Sequence, residues 1–306
     1  MAALQCRDCV TGALHTDTPT GIELTIHDIP TYVARPNEGQ PEKGLIIYIT
    51  DIFGWELPNN RLLADRYAKK GGYVVYIPDF LRGRSAQIFI SQINSLKYSR
   101  IHTLPPGHGA SSEGLRFTAA YSAPSSLLYT IFIKPIYLLR AVLTFAGPVF
   151  HGRRSKSKPL IFDFMRALRN DPATADLKIG VAGFCWGGQY AVLLAQDDLA
   201  PPGSTESKSL VDAAFTAHPA LLSIPEDIEK VKAPLSIAVA EHDMYLKPPA
   251  VERLMRIEKG EDYEVVMFPG TRHGFAIRNN TKDGVQMAAA EKAEELALTW
   301  FKRWLG

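Results

Sequence analysis

Short runs of β-branched and aromatic residues alternate with longer amphipathic stretches over most of the chain. Strands that alternate with helices pair in parallel, so this pattern predicts a mostly parallel central sheet flanked by helices. A further pair, Glu23–Ile26 and Thr31–Ala34, is expected to add an antiparallel edge. The runs that fit buried parallel strands are Leu45–Thr50, Tyr73–Ile77, Lys178–Ala182, Ala213–Ala217, Leu235–Ala240 and Tyr263–Phe268.

Helical spacing of apolar residues fills the intervals between these strands. In the first such interval, Leu62, Leu63 and Tyr67 fall on one helical face. The final stretch is long enough for a helix that packs along the whole sheet. The predicted helices are Pro58–Lys70, Lys158–Asn170, Gln189–Gln196 and Asp283–Trp304.

The stretch 85–157 breaks the rhythm, because a strand–helix crossover needs only about a dozen residues. Its second half, 127–150, is strongly apolar but is interrupted by charges and prolines, so it lacks the length of a membrane-spanning helix. We expect a helical cap over the active site, within a single domain of residues 1–306. The basic run 152–158 that follows leaves two alternatives open, contact with a membrane surface and a solvated loop. Apolar candidates for the roof of the pocket are Leu127, Tyr129, Ile131, Phe132, Tyr137 and Phe145.

Composition excludes several classes of protein. Lys and Arg number 34 against 32 Asp and Glu in 306 residues, a net charge of +2, so the chain lacks the basic field that nucleic-acid binding requires. Three cysteines argue against a disulfide framework and for a reducing compartment, and no signal peptide is visible, so we expect a cytoplasmic protein. Cys6 and Cys9 lack the partners of a zinc site and are expected to be free thiols. Nothing predicts a metal or a cofactor.

One cysteine stands where a buried strand turns directly into a helix. Residues 180–188 read Gly-Val-Ala-Gly-Phe-Cys-Trp-Gly-Gly, with Cys185 at the apex and glycines that allow strand and helix to approach closely. The backbone N–H groups at the start of the helix favour a thiolate at this point. This is the nucleophile elbow of an α/β-hydrolase fold with sulfur in place of oxygen.

A nucleophilic thiol needs a base, and the base needs a group that orients it. In the hydrolase fold the acid and then the histidine follow the nucleophile, and the sequence supplies Asp243 after one strand and His273 after the next. We therefore predict a Cys185, His273 and Asp243 triad. His242 is a rival base, but it points away from its neighbour Asp243. His218, at the end of another strand, is a candidate for the pocket lining.

The loop after the first parallel strand, Thr50–Asn59, is the remaining piece. In this fold that loop gives the second oxyanion donor from its backbone, which predicts an oxyanion hole made by the N–H groups of Ile52 and Trp186. Asp51 would place a carboxylate near the sulfur. It lies too far ahead of the helix at Pro58 to cap it well.

These blocks together resemble the dienelactone hydrolase family, in a fungal or animal form similar to carboxymethylenebutenolidase-like proteins. The matching motifs extend from about residue 20 to the end, apart from the 85–157 insertion. They are Asp51-Ile52-Phe53-Gly54-Trp55, Pro78-Asp79-Phe80, Gly183-Phe184-Cys185-Trp186-Gly187-Gly188, Glu241-His242-Asp243 and Arg272-His273-Gly274-Phe275-Ala276.

The resemblance implies hydrolysis of a lactone or ester through a thioester acyl-enzyme, without a cofactor. It also implies a resting thiol that pairs with a carboxylate; the matching residue is Asp51, where the bacterial members have a longer Glu. Those members hold a substrate carboxylate with arginines, for which the candidates here are Arg82, Arg84 and Arg278. Two aromatic residues of the matching motifs, Trp55 and Phe275, are further candidates for substrate binding.

The apolar insertion favours a larger substrate than a small diacid, such as a polyketide lactone or an aromatic ester. A thioesterase or acyltransferase would use the same triad, and a biosynthetic enzyme that rearranges or decarboxylates a polyketide-type substrate is a further alternative. A binding protein without catalysis would be expected to lose at least one triad residue, and none is lost. The predicted partner is a small-molecule lactone or ester.

Overall fold

The computed structural model of the chain describes residues 13–86, 152–196, 209–280 and 282–306. The insertion is therefore described only at its two ends, 85–86 and 152–157. Cys6, Cys9 and the apolar stretch 127–150 lie outside the described residues.

An eight-stranded sheet forms the centre of the molecule. Its strands lie in the order β1-β2-β4-β3-β5-β6-β7-β8. The pairs β1–β2 and β2–β4 are antiparallel and the remaining five pairs are parallel, which confirms the predicted parallel sheet with an antiparallel edge. The strands are β1 (Ile22–Ile26), β2 (Ile29–Ala34), β3 (Leu45–Ile49), β4 (Val74–Pro78), β5 (Ile179–Phe184), β6 (Ala213–Ala217), β7 (Leu235–His242) and β8 (Tyr263–Arg272).

Helices cover both faces of this sheet. One buried cluster joins the sheet to α2, α3, α4 and α5, and the other joins it to α1 and α6. The helices are α1 (Pro58–Gly71), α2 (Arg154–Asn170), α3 (Trp186–Gln196), α4 (Glu226–Glu229), α5 (Pro248–Met255) and α6 (Gly284–Leu305), with a 3-10 turn at Gly260–Asp262.

The last helix completes the second cluster. Phe301 of α6 contacts the rings of Tyr67 in α1, Tyr73 directly before β4 and Phe215 in β6. Glu294 of the same helix is buried and forms ion pairs with Arg66 at 2.6 Å and with Lys70 of α1 at 2.7 Å. The predicted long final helix therefore closes the α1 side of the sheet.

Two predicted helix starts differ from the structure by three or four residues, and strand β8 extends four residues beyond its predicted end, to Arg272. Helix α2 begins at Arg154, so residues 154–157 of the predicted insertion belong to a core helix and not to a loop. Helix α3 begins at Trp186, directly after the apex cysteine, three residues before the predicted start. The early start of α3 makes the Trp186 N–H, directly after Cys185, the first N–H of the helix.

Candidate active site

The turn from β5 into α3 is shaped by close contacts that only glycine allows. Cys185 at the apex has a φ of 51°, a backbone conformation that residues other than glycine rarely adopt. A Cβ on Gly187 would lie 2.1 Å from the Ile49 carbonyl oxygen, and the Gly187 N–H donates to the Thr50 carbonyl at 3.1 Å. The strain and the tight packing hold the thiol in one place at the carboxyl edge of the sheet.

Three predicted residues from three loops meet at this edge. His273, after β8, has its Nε2 3.0 Å from the Cys185 sulfur and its Nδ1 2.8 Å from the Asp243 carboxylate. The second oxygen of Asp243 accepts from the Tyr245 N–H at 2.8 Å, so the carboxylate is itself held by its loop. All three triad residues are buried. The arrangement can hold one imidazole tautomer and pass a proton between ring and sulfur.

The charge state of His273 follows from its two neighbours. Burial by itself lowers its pKa, but the Cys185 sulfur and the Asp243 carboxylate raise it, and the net pKa is about 10. An imidazolium beside a sulfur favours the thiolate form of that sulfur. The site therefore holds a cationic imidazole next to the nucleophilic sulfur in a buried setting.

His242, the rival base, faces solvent beside Glu241 and does not contact the triad.

The two predicted oxyanion donors, the N–H groups of Ile52 and Trp186, belong to the two segments that the Gly187–Thr50 hydrogen bond joins. In the part of the chain that the structure describes, the N–H groups of Ile52 and Trp186 donate to no acceptor. Unpaired N–H groups in the turn after a parallel strand and at the start of a helix suit an anionic oxygen.

Asp51 does not pair with the thiol. Its carboxylate is fully buried, and it accepts from Arg278 Nη1 at 2.8 Å, from the Phe53 N–H at 3.1 Å and from the Asn60 side chain at 3.3 Å. The expected resting contact between Asp51 and Cys185 is therefore corrected: the sulfur already faces His273. A buried guanidinium is the natural partner of a buried carboxylate, because either charge alone would be costly.

The other arginine candidates lie apart from the triad. Arg82 and Arg84 are exposed on the turn after β4. Arg278 is buried, where its guanidinium pairs with Asp51 and lies 4.8 Å from the centre of the Phe53 ring. The structure brings neither exposed arginine to the sulfur.

Trp55 belongs to the α1 side of the core, where its indole faces the Arg61 guanidinium at 4.9 Å. Phe275 is also a core residue and packs 4.9 Å from Phe268, ring centre to ring centre. The structure places neither ring against the sulfur.

His218 does reach the triad. Its buried ring lies 5.0 Å from the His273 ring, at a steep angle, and 5.7 Å from Phe275. Burial first, then the charges of His273 and Arg278, lowers its pKa well below the ordinary value, so the ring is neutral. Neither ring nitrogen has a hydrogen-bond partner among the described residues. The prediction that His218 lies near the site is consistent with this position.

Tyr245 was missed by sequence reasoning. Its ring lies 5.2 Å from that of His273, and burial, then Cys185 and Asp243, raises its pKa to about 12. Its position two residues after Asp243 is the signal that could have identified it.

The described residues contain no cluster of His, Cys, Asp and Glu side chains that could hold a metal ion. Among the same residues, no helix is both long and apolar enough to span a bilayer.

The amino-acid sequence matches one protein-family model over most of its length. The model of the dienelactone hydrolase family matches residues 29–108 and 144–305. The chain belongs to the dienelactone hydrolase family. This membership makes the protein a hydrolase of the type that acts on ester or lactone bonds. Between the two matched ranges of this dienelactone hydrolase-family chain, residues 109–143 are unmatched, and they lie inside the 85–157 insertion.

Relatives of this dienelactone hydrolase-family chain are similar over nearly their whole length. Hydrolase pyvD of Aspergillus violaceofuscus is 24% identical, with 98% of this chain and 96% of the relative covered. The mouse carboxymethylenebutenolidase homolog is also 24% identical, with 93% and 91% covered. A solved structure from Klebsiella pneumoniae, described as a dienelactone hydrolase, superposes with a TM-score of 0.56 at 18% identity, covering 94% of this chain and all of that one. This structure supports the α/β-hydrolase fold.

Proposed function

We propose that the protein hydrolyses a lactone or ester through Cys185, with a thioester as the covalent intermediate. The observation that carries the proposal is the unbroken contact from Asp243 through His273 to the Cys185 sulfur. This contact gives the thiol a base and gives the base a fixed orientation.

In the first half of the reaction the Cys185 thiolate attacks the carbonyl carbon, and a sulfur–carbon bond forms. The carbonyl electron pair moves to oxygen, which the N–H groups of Ile52 and Trp186 stabilise. When the tetrahedral intermediate collapses, the carbon–oxygen bond of the ester breaks. The leaving oxygen takes a proton from His273, whose raised pKa keeps that proton available at neutral pH.

In the second half a water molecule attacks the thioester. Neutral His273 takes one proton from the water, the carbon–sulfur bond breaks, and the free carboxylic acid and the Cys185 thiolate are restored. Asp243 holds the His273 ring and stabilises the imidazolium each time it forms. One ester and one water give one acid and one alcohol or enol.

The substrate we propose is a lactone or ester larger and more apolar than a small diacid. Arg82 and Arg84 are exposed, and Arg278 is engaged with Asp51. The described site therefore offers no buried arginine reserved for a second carboxylate. The apolar sequence of 127–150 supports the same substrate class.

The test combines turnover with detection of the intermediate. Wild-type protein, Cys185→Ala and the matched control Cys185→Ser are incubated with dienelactone and with a panel of aryl esters, aromatic lactones and thioesters. We expect turnover and an acyl adduct on Cys185 by intact-protein mass spectrometry in the wild type, and neither in Cys185→Ala. Full activity of Cys185→Ala would refute the mechanism. Dienelactone cleaved far faster than every bulky substrate would refute the substrate class.

A further inference from the structure

The two ends of the 85–157 insertion are each hydrogen-bonded to one of the proposed oxyanion residues. At the entry, the Ala86 N–H donates to the Ile52 carbonyl at 2.9 Å. At the exit, the Trp186 indole Nε1–H donates to the Gly152 carbonyl at 2.8 Å. The residues whose backbone N–H groups would hold the substrate oxygen therefore also hold the ends of the insertion.

Both attachments are buried and tightly packed. Ser85 lies against Gly54, where a Cβ would be only 2.5 Å from the Ser85 Cβ, so the segment at Ser85 cannot shift without moving the loop after β3. At the exit, the Tyr190 hydroxyl donates to the same Gly152 carbonyl at 3.4 Å. The Trp186 and Tyr190 rings pack 4.8 Å apart, so the indole has little freedom to turn.

On the basis of the proposed function, we infer that the Trp186 side chain is a positioning residue for the oxyanion hole. Its backbone N–H is the donor, and its indole fixes the direction of that donor by anchoring to Gly152. Such precision matters because a donor stabilises the transition state only when it lies within hydrogen-bond distance of the developing anion. Ile52 is held from its carbonyl side by Ala86 in the same way.

Trp186→Phe tests this inference, since it removes the Nε1–H donor but keeps an aromatic ring and the backbone N–H. Removal of a whole oxyanion donor costs about 100-fold to 1,000-fold in kcat, and a displaced donor a part of that. We expect kcat for p-nitrophenyl acetate to fall on the order of tenfold with little change in KM. The control is Tyr190→Phe, which removes the weaker donor to the same carbonyl and should keep wild-type kcat.

Alkylation of Cys185 by iodoacetamide separates positioning from general damage. Displacement of iodide forms a sulfur–carbon bond without an anionic oxygen, so its rate reports the thiolate and not the oxyanion hole. We expect Trp186→Phe to alkylate at the wild-type rate. Equal losses in alkylation and hydrolysis, an equal loss in Tyr190→Phe, or unchanged kcat in Trp186→Phe would each overturn the inference. Wild-type protein with no Cys185-dependent hydrolysis would overturn the proposed function and this inference together.

Discussion

His273 determines the charge balance of the site, because its two ring nitrogens face a carboxylate on one side and a sulfur on the other. Burial opposes a charge on the ring, yet the Cys185 sulfur and the Asp243 carboxylate outweigh it and raise the pKa to about 10. The protonated ring is thus the resting state over the physiological pH range.

This state can be observed directly. We expect the His273 ring to titrate near pH 10 in a nitrogen-15 NMR titration of the wild type. In Cys185→Ala the pKa should fall, because the sulfur that raises it is gone while burial continues to lower it. As pH rises through about 10, hydrolysis of esters with poor leaving groups should decline as the proton donor is lost. An unchanged pKa in Cys185→Ala would contradict the thiolate–imidazolium pair.

His218 differs from His273, because its buried ring is neutral and forms no hydrogen bond with the described residues. Both nitrogens lack partners, and such groups cost about 1–3 kcal/mol each when buried without hydrogen bonds. His218→Phe should therefore raise the unfolding temperature, measured by calorimetry. His218→Ala is the comparison and should lower it, because it leaves a cavity beside His273 and Phe275. A destabilised His218→Phe protein would show that the nitrogens are paired in solution.

The sequence predicted the contacts of some site residues and not those of others. Cys185, Asp243 and His273 were predicted to meet because each follows a strand whose carboxyl end lies at one edge of the sheet. The partner of Asp51 was predicted wrongly, because the sequence does not indicate which side chain will lie next to a buried carboxylate. The pairing with Arg278 depends on the path of the loop after His273, and that path is a tertiary property.

At the scale of elements, the elbow depends on the distance between α3 and β3. The Gly187 N–H reaches the Thr50 carbonyl only because no side chain stands between the helix and the strand.

Gly187→Ala should therefore be severely destabilising. The added Cβ would meet the Ile49 carbonyl oxygen at 2.1 Å, and overpacking of this kind costs about 1–3 kcal/mol or more. The matched control is Gly284→Ala at the start of α6, where a Cβ would meet nothing within 4 Å. We expect the control to keep or slightly raise its free energy of unfolding in urea. Equal stability of the two variants would contradict the close approach.

The positions of the strands were predictable because buried β-branched runs leave few alternatives. Strand β6 was predicted to the residue, whereas β8 ends at Arg272, four residues beyond its predicted end. The start of α2 was not predictable. Arg153, Arg154 and Lys156 are unfavourable at a helix N-terminus, so local preference pointed to a loop. Burial of Ile161, Met165 and Leu168 against the sheet stabilises the helix in spite of this unfavourable start.

At the scale of the whole molecule, the Asp51–Arg278 ion pair joins the loop after β3 to the loop after β8. The two loops carry the oxyanion donor Ile52 and the base His273, so the buried pair fixes one half of the site relative to the other. The side chains are 0% and 4% exposed.

A double-mutant cycle measures that link. Asp51→Ala and Arg278→Ala should each cost about 3–5 kcal/mol, because each leaves a buried charge unpaired, and the double variant should cost clearly less than their sum. The control cycle uses Arg35 and Glu42, which are 52% and 50% exposed and should couple by less than about 1 kcal/mol. Additive losses at Asp51 and Arg278 would contradict the proposed link.

The overall architecture was predictable from the alternation of strands and helices, since a parallel sheet with this connectivity has few ways to fold. The substrate was not, because the 85–157 stretch that we expect to cover the site has no repeating pattern from which its fold could be predicted.

The position of α6 has a consequence for synthesis of the chain. This helix is made after every element it packs on, and until it emerges from the ribosome the rings of Tyr67 and Phe215 lack the Phe301 contact that covers them. The nascent chain therefore carries an uncovered apolar sheet face while its triad residues are already translated. Stalling or premature termination before α6 should yield a chaperone-dependent, aggregation-prone product.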